Sequence, residues 1–215
     1  MFEHPTGNKP KKIVILGTGP SRIDYLNILA SDKPDLLEVD EVWGVNTATN
    51  FARVDLTFVM DDYAAMKGHV PATQHVYENA KEPIITSVAR KEIPNAVSFP
   101  LGEILLMNPN RDFFNHTVAY MAAYAAWLGV EEILVFGTDY ISAAQPYSSG
   151  SRGADLPPRY MACMSYWLGF CEGRGIRVII TPNSPLLDAD YKEYERLYGY
   201  LIKPKIRRVG DPQTE

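Results

Sequence analysis

A short apolar run that leads directly into a glycine turn limits the folds open to this chain. Residues Ile13–Leu16 are all apolar and mostly β-branched, which predicts a buried strand. The turn that follows directs main-chain N–H groups and the positive end of a helix dipole toward one point, where phosphate binds well. We therefore predict a nucleotide-phosphate site, and the alternative is a tight turn that binds nothing. The residues of this site are Gly17, Thr18, Gly19, Pro20 and Ser21.

The glycine turn is not the fingerprint of a dinucleotide-binding fold. Its third glycine would fall at Arg22, and the next predicted strand, Glu41–Val45, is followed by Asn46 where an acidic ribose ligand would stand. This pattern disfavours a nicotinamide cofactor and favours another nucleotide. Asn46 and Thr47 are suited to reading a ribose or a base, although Asn and Thr are also ordinary loop and helix-cap residues. For Asn50 we favour the loop interpretation.

Two adjacent carboxylates follow the third predicted strand, Val54–Met60. Asp61 and Asp62 could hold Mg²⁺ against a diphosphate, because magnesium prefers one or two carboxylates together with phosphate oxygens. The alternative is that an aspartate caps the helical turn predicted at Tyr63–Lys67. The sequence leaves both interpretations open.

A buried helix and a buried strand dominate the middle of the chain. The alanine-rich segment His116–Leu128 predicts a helix that is apolar nearly all round, with His116 and Thr117 at its start and Thr117 able to cap it. Gly129 is expected to end that helix. The strand Glu132–Phe136 follows, and after it come Gly137, Asp139 and Tyr140, which predicts a carboxylate in the crevice of an open sheet.

Alternating strands and helices predict a three-layer α/β/α fold with a mostly parallel, Rossmann-like sheet. A loop rich in Ser, Gly and Pro at about 141–158 predicts a lid, and its Arg152 and the following Arg159 suit phosphate or acceptor recognition. We expect a flexible tail over 1–11, a single nucleotide-binding domain over 12–202, and a second tail over 203–215.

Composition excludes few functions. The 215 residues carry a net charge of −5, so no overall basic field attracts nucleic acid. Cys163 and Cys171 are expected to be buried free thiols in a reducing compartment. No apolar run approaches the roughly 20 residues of a membrane span, and we expect a cytoplasmic protein. The sequence leaves open a homo-oligomer, and it leaves open whether the acceptor is a small molecule, a glycan, a protein or DNA.

Two segments together resemble a known superfamily. They read IVILGTGPS at Ile13–Ser21 and HTVAYMAAYAAWLGVEEILVFGTDY at His116–Tyr140. The pair resembles the signatures of bacterial sialyltransferases of the Campylobacter type. The chain is also similar to the motility-associated flagellin glycosyltransferases and to the archaeal 6-hydroxymethylpterin diphosphokinases. The resemblance extends to Trp43–Asn46 and Thr57–Asp62.

In those sialyltransferases the matching residues surround the donor nucleotide. The resemblance therefore implies nucleotide contacts at Gly17–Ser21, Asn46, Thr117, and Gly137 with Asp139. Thr18 stands where the sialyltransferases commonly have Asn, and His116-Thr117-Val118 replaces their Ser/Thr-Ser-Gly. Their late catalytic histidine has no counterpart, because the histidines of this chain are His4, His69, His75 and His116.

These observations lead to three functional hypotheses. The first is a glycosyltransferase that uses a nucleotide-sugar donor and a hydroxyl acceptor, with Asp139 or His116 as the acid–base group. The second is an ATP-dependent diphosphokinase of the 6-hydroxymethylpterin type, in which Asp61, Asp62 and Asp139 would hold Mg²⁺. The third is a non-catalytic nucleotide-binding module, which the missing late histidine favours.

Overall fold

Seven parallel strands form one sheet in the order β5-β4-β3-β2-β1-β6-β7. The computed structural model describes residues 2–31, 37–93, 95–109, 112–139, 156–184 and 186. Because every pairing is parallel, the carboxyl ends of all seven strands lie along one edge. The strands are β1 (Lys12–Leu16), β2 (Glu41–Val45), β3 (Leu56–Val59), β4 (Ile84–Thr86), β5 (Ala96–Ser98), β6 (Glu132–Phe136) and β7 (Arg177–Ile180).

Helices connect the strands, as the sequence predicts. A 3-10 helix at Asn46–Asn50 directly follows β2, and it includes Asn50, for which a loop is expected. The α-helices are α1 (Arg22–Ala30), α2 (Tyr63–Met66), α3 (Pro71–Asn79), α4 (Leu101–Met107), α5 (Thr117–Leu128) and α6 (Leu156–Gly173).

The core lies on both faces of the sheet. Side chains alternate along a strand, so Ile13 and Ile15 of β1 pack on the face that α5 and α6 cover. Val14 and Leu16 point to the opposite face, where Tyr25 of α1 packs with them. The predicted three-layer α/β/α fold is confirmed.

Helix α5 is buried on all sides. Nine of its twelve residues are buried, and it lies between the sheet and α6. Gly129 ends it in the left-handed conformation, with φ of 80°, as expected. Cys163 and Cys171 of α6 are free and buried, which confirms the prediction of buried free thiols, while the reducing compartment stays a prediction.

The predicted terminal and lid segments differ in how far the structure describes them. Residues 2–10 contact the core where a flexible tail is expected; His4 bonds to Glu41 and Phe2 packs on Tyr124. Most of the predicted lid and all of the tail at 203–215 lie outside the described residues. The end of the lid segment, from Leu156, already belongs to α6. Among the described residues, no helix is long and apolar enough to cross a membrane.

Candidate functional site

Two glycine turns contact each other at the carboxyl edge of the sheet, at the point where the order of the strands reverses. Strand β1 has β2 on one side and the much later β6 on the other, and such a switch point is where open α/β sheets bind ligands. The Gly17 amide donates to the Phe136 carbonyl at 2.8 Å, and the Gly19 amide donates to the Gly137 carbonyl at 2.7 Å. A Cβ on Gly17 would lie 2.1 Å from the Gly137 oxygen. Only glycine allows the turns to meet.

Ser21 and Asp139 join the same two turns through side chains. The Ser21 amide donates to Asp139 Oδ2 at 2.6 Å, and the Gly137 amide donates to Ser21 Oγ at 2.9 Å. Both residues are 2% exposed. The anion beside the start of α1 is therefore a carboxylate of the protein itself, which the positive end of the helix dipole stabilises.

This arrangement changes what the glycine turn can offer a ligand. The amides of Gly17, Gly19 and Ser21 all donate to protein acceptors, and Pro20 has no N–H. The geometry therefore does not support the prediction that these amides hold a phosphate. Thr18 is exposed at the tip of the turn, and its amide has no acceptor among the described residues.

Three buried oxygens at the carboxyl edge have no hydrogen-bond partner in the described part of the chain. They are Asn46 Oδ1, Thr138 Oγ1 and Asp139 Oδ1. Leaving such an atom unsatisfied costs about 1–3 kcal/mol, so these oxygens point to a ligand that brings N–H or O–H donors. Because β2, β1 and β6 are adjacent, the ends of β2 and β6 lie about 10 Å apart, the length of a nucleoside.

Asn46 has an unusual backbone as well as an unpaired oxygen. Its φ of 48° is the only positive value among the described non-glycine residues, and asparagine tolerates this region better than most. Thr47 follows it in the 3-10 helix and is half-buried, whereas Asn50 is exposed. The positive φ has no local sequence signal that would have revealed it.

His116 lies at the start of α5 and contacts the start of α6. Its Nε2 donates to the Tyr160 carbonyl oxygen at 3.0 Å. Burial lowers the pKa of His116 to about 4, although the bond to the carbonyl opposes this effect. His116 is therefore neutral at pH 7.

The prediction that Thr117 caps α5 was wrong, because α5 begins at Thr117 and His116 occupies the cap position.

The start of α6 brings a cation to the same region. The Asn115 side chain donates to the Arg159 carbonyl at 3.0 Å, and the Arg159 side chain is exposed. Asn115 Oδ1 is a further buried oxygen without a partner among the described residues. Neither Asn115 nor Thr138 was among the predicted site residues. The predicted contacts Tyr140 and Arg152 lie outside the described residues.

The two carboxylates after β3 form a separate cluster. Asp62 accepts from the Ala64 amide at 2.7 Å and pairs with Arg90 at 2.7 Å, so the helix-cap interpretation is confirmed. Asp61 is exposed. Among the described residues, no group of three or more His, Cys, Asp or Glu side chains could hold a metal. Because Arg90 already neutralises Asp62, these residues do not fit a magnesium site.

Comparisons with known proteins agree with the class of fold. No protein-family model matches the sequence, and no curated protein matches it. The all-parallel sheet with helices on both faces is a glycosyltransferase-like α/β/α fold, and solved structures of two enzymes share it.

The first is the sialyltransferase CstII from Campylobacter jejuni, in complex with a trisaccharide acceptor and CMP. It is 18% identical with a TM-score of 0.50 over 82% of this chain and 83% of that chain. The second is the MAf glycosyltransferase from Magnetospirillum magneticum AMB-1, at 15% identity and a TM-score of 0.53. That match covers 80% of this chain but 33% of the longer enzyme.

At these identities the similarity establishes the fold alone. The resemblance to sialyltransferases and flagellin glycosyltransferases is therefore confirmed as a similarity of fold. The part of the resemblance that points to diphosphokinases gains no support from these structures.

Proposed function

We propose that this chain is a glycosyltransferase that binds a nucleotide-sugar donor at the switch point between β1 and β6. The observation that carries the proposal is the set of unpaired buried oxygens at Asn46, Thr138 and Asp139. Asn46 Oδ1 and Asp139 Oδ1 can only accept hydrogen bonds, and Thr138 Oγ1 has accepting capacity too. Ribose hydroxyls and base N–H groups are matching donors, whereas a phosphate, which carries only acceptors and negative charge, is repelled by Asp139.

The phosphate end of the donor then belongs near the start of α5. Thr117 lies in the first turn of this twelve-residue helix, and exposed Arg159 is held next to it through Asn115. A helix start and an arginine both attract phosphate oxygens. In the reaction, the acceptor hydroxyl bonds to the sugar carbon, the bond from that carbon to the phosphate oxygen breaks, and the hydroxyl proton passes to a base.

The acid–base roles of His116 and Asp139 stay predictions. His116 is neutral at pH 7, so it has no imidazolium proton to give, and its Nε2 donates to a carbonyl. Asp139 is 2% exposed and anchors the Ser21 amide, which supports a role in binding the nucleoside more than in touching the acceptor.

Product analysis distinguishes the proposed glycosyltransferase from the two alternatives, a diphosphokinase and a non-catalytic nucleotide-binding module. A diphosphokinase would need Mg²⁺ and release AMP from ATP, and the pairing of Asp62 with Arg90 counts against it. A non-catalytic module would bind a nucleotide and turn over no donor. A glycosyltransferase hydrolyses or transfers the sugar and releases the nucleotide.

The test measures the binding of CMP, UDP, GDP, ADP and ATP to the protein, with and without Mg²⁺. It then measures the turnover of nucleotide sugars that carry the nucleotides found to bind. Saturating ligand at a hundredfold excess over Kd should stabilise the protein by about 2.7 kcal/mol in a thermal shift.

Asn46→Gly keeps the positive φ but removes the unpaired oxygen, and it should weaken nucleotide binding about tenfold. Asn50→Gly, in the same 3-10 helix, is the matched control. Equal affinity in the two variants, or no binding by any nucleotide, would overturn the proposal.

A further inference from the structure

The N-terminal segment Phe2–Asn8 closes the amino end of the sheet, opposite the candidate site. The Phe2 ring packs edge-on against Tyr124 and Trp127 of α5, with ring centroids 6.1 and 5.7 Å apart. The His4 side chain is only 4% exposed. The segment therefore packs against the core through Phe2 and His4.

Three residues of the segment bond to one buried carboxylate, that of Glu41 at the first residue of β2. Glu41 Oε2 accepts from His4 Nε2 at 2.9 Å and from Trp43 Nε1 at 2.7 Å. Glu41 Oε1 accepts from Asn8 Nδ2 at 3.0 Å and from the Thr6 hydroxyl. Burial raises the pKa of Glu41, but these hydrogen bonds outweigh it and lower the pKa to about 2. The carboxylate is thus charged and depends on its donors.

His4 connects two elements that both carry candidate site residues. Its Nδ1 lies 2.8 Å from the Tyr124 hydroxyl, which is within hydrogen-bond distance. Glu41 begins β2, and Asn46 follows the end of that strand. Tyr124 lies in α5, which begins at Thr117. The His4 imidazole therefore contacts both β2 and α5.

We propose that His4 is a positioning residue that sets how α5 sits on β2, and thereby sets the nucleotide affinity of the site at the other end of both elements. This proposal rests on the proposed function. Removing His4 takes one of four donors from the buried Glu41 carboxylate and leaves the buried Tyr124 hydroxyl without a partner among the described residues. Both groups replace the lost hydrogen bond only if water enters between the N-terminal segment and α5. Strands and helices are stiff, so a displacement at one end moves the other end.

The test compares full-length variants that differ in one imidazole. His4→Phe keeps a ring against Trp43 and Tyr124 but removes both hydrogen bonds, and His4→Gln keeps one donor for Glu41. His69→Phe makes the same change at an exposed position and is the control. Hydrogen exchange of the Gly7 and Asn8 amides and of the Trp43 indole reports whether the N-terminal segment opens, and a titration with the best nucleotide of the panel reports the site.

We expect His4→Phe to accelerate exchange about tenfold or more and to weaken nucleotide binding severalfold, with His4→Gln in between and His69→Phe unchanged. A loss of fold in His4→Phe would leave His4→Gln as the decisive variant. Unchanged exchange, or faster exchange with unchanged affinity, would overturn the positioning role. If the parent protein binds no nucleotide, the proposed function fails, and the exchange comparison still decides whether His4 holds the segment.

Discussion

At the scale of single residues, the candidate site is shaped by close contact between main chains. Gly17 and Gly137 each occupy the space that a side chain on the other would need, and Gly137 also has a φ of 66°. The same contact brings Asp139 to the Ser21 amide, 118 residues away in sequence. The arrangement of the site thus depends on the lack of a side chain at Gly17 and Gly137 as much as on the contact between Asp139 and Ser21.

Gly17→Ala should destabilise the protein by roughly 1–3 kcal/mol or more, because the new Cβ would overlap a backbone oxygen that cannot move aside alone. Gly169→Ala is the control, since a Cβ there meets nothing within 4 Å and a helix gains roughly 0.5–1 kcal/mol from the change. Urea denaturation of both variants measures the difference. Similar stability in the two variants would contradict the interlocked geometry.

His116 should make folding stability depend on pH. Its pKa is about 4 in the folded protein, below the unfolded value of 6.5, because burial disfavours the charged ring. The unfolded state therefore binds the proton more readily, and the contribution of His116 is complete above pH 6.5 and is lost as the pH falls toward 4.

The check is the free energy of unfolding of the parent and of His116→Gln at a series of pH values. The difference between them should change between pH 6.5 and 4, while exposed His69→Gln should follow the parent at every pH. A constant difference for His116→Gln would show that the ring is not buried in its neutral form.

At the scale of elements, α5 and α6 form the layer against which the sheet packs. Ala122 of α5 is fully buried, and its carbonyl accepts from Cys171 Sγ of α6 at 3.4 Å. Small alanine side chains allow this close approach between the two helices.

Ala122→Leu should destabilise the protein by about 1–3 kcal/mol, because a tightly packed interface has no room for three more carbon atoms. Ala30→Leu adds the same atoms at the exposed last residue of α1 and should change stability by less than about 0.5 kcal/mol. Thermal unfolding of the two variants makes the comparison. A neutral Ala122→Leu would mean that the α5–α6 interface is looser than described.

Much of the element order could be predicted from local pattern. The bounds of β2 and β6 match the prediction at both ends, because each is a mainly apolar run that begins at a glutamate and is followed by residues typical of loops. Helix α6 begins at Leu156, inside the predicted lid, since the prolines at 157 and 158 are compatible with the first turn of a helix. The 3-10 helix after β2 was missed because Asn and Thr are equally common in loops.

At the scale of the whole molecule, the sequence could predict which segments reach the site but not how they meet there. Parallel strands share one carboxyl edge, so Asn46 and Asp139 were expected in the same crevice. That Asp139 turns toward Ser21, and that His4 reaches Glu41, depends on tertiary contacts between distant residues. No local pattern encodes such contacts. The cytoplasmic location stays a prediction.

The mutual fit of Gly17 and Gly137 also has an evolutionary consequence. A larger residue at one turn pushes the opposite turn away, so two compensating changes would have to occur at once for the site to survive. Across descendants of a common ancestor, the two positions should therefore stay glycine together or be exchanged together.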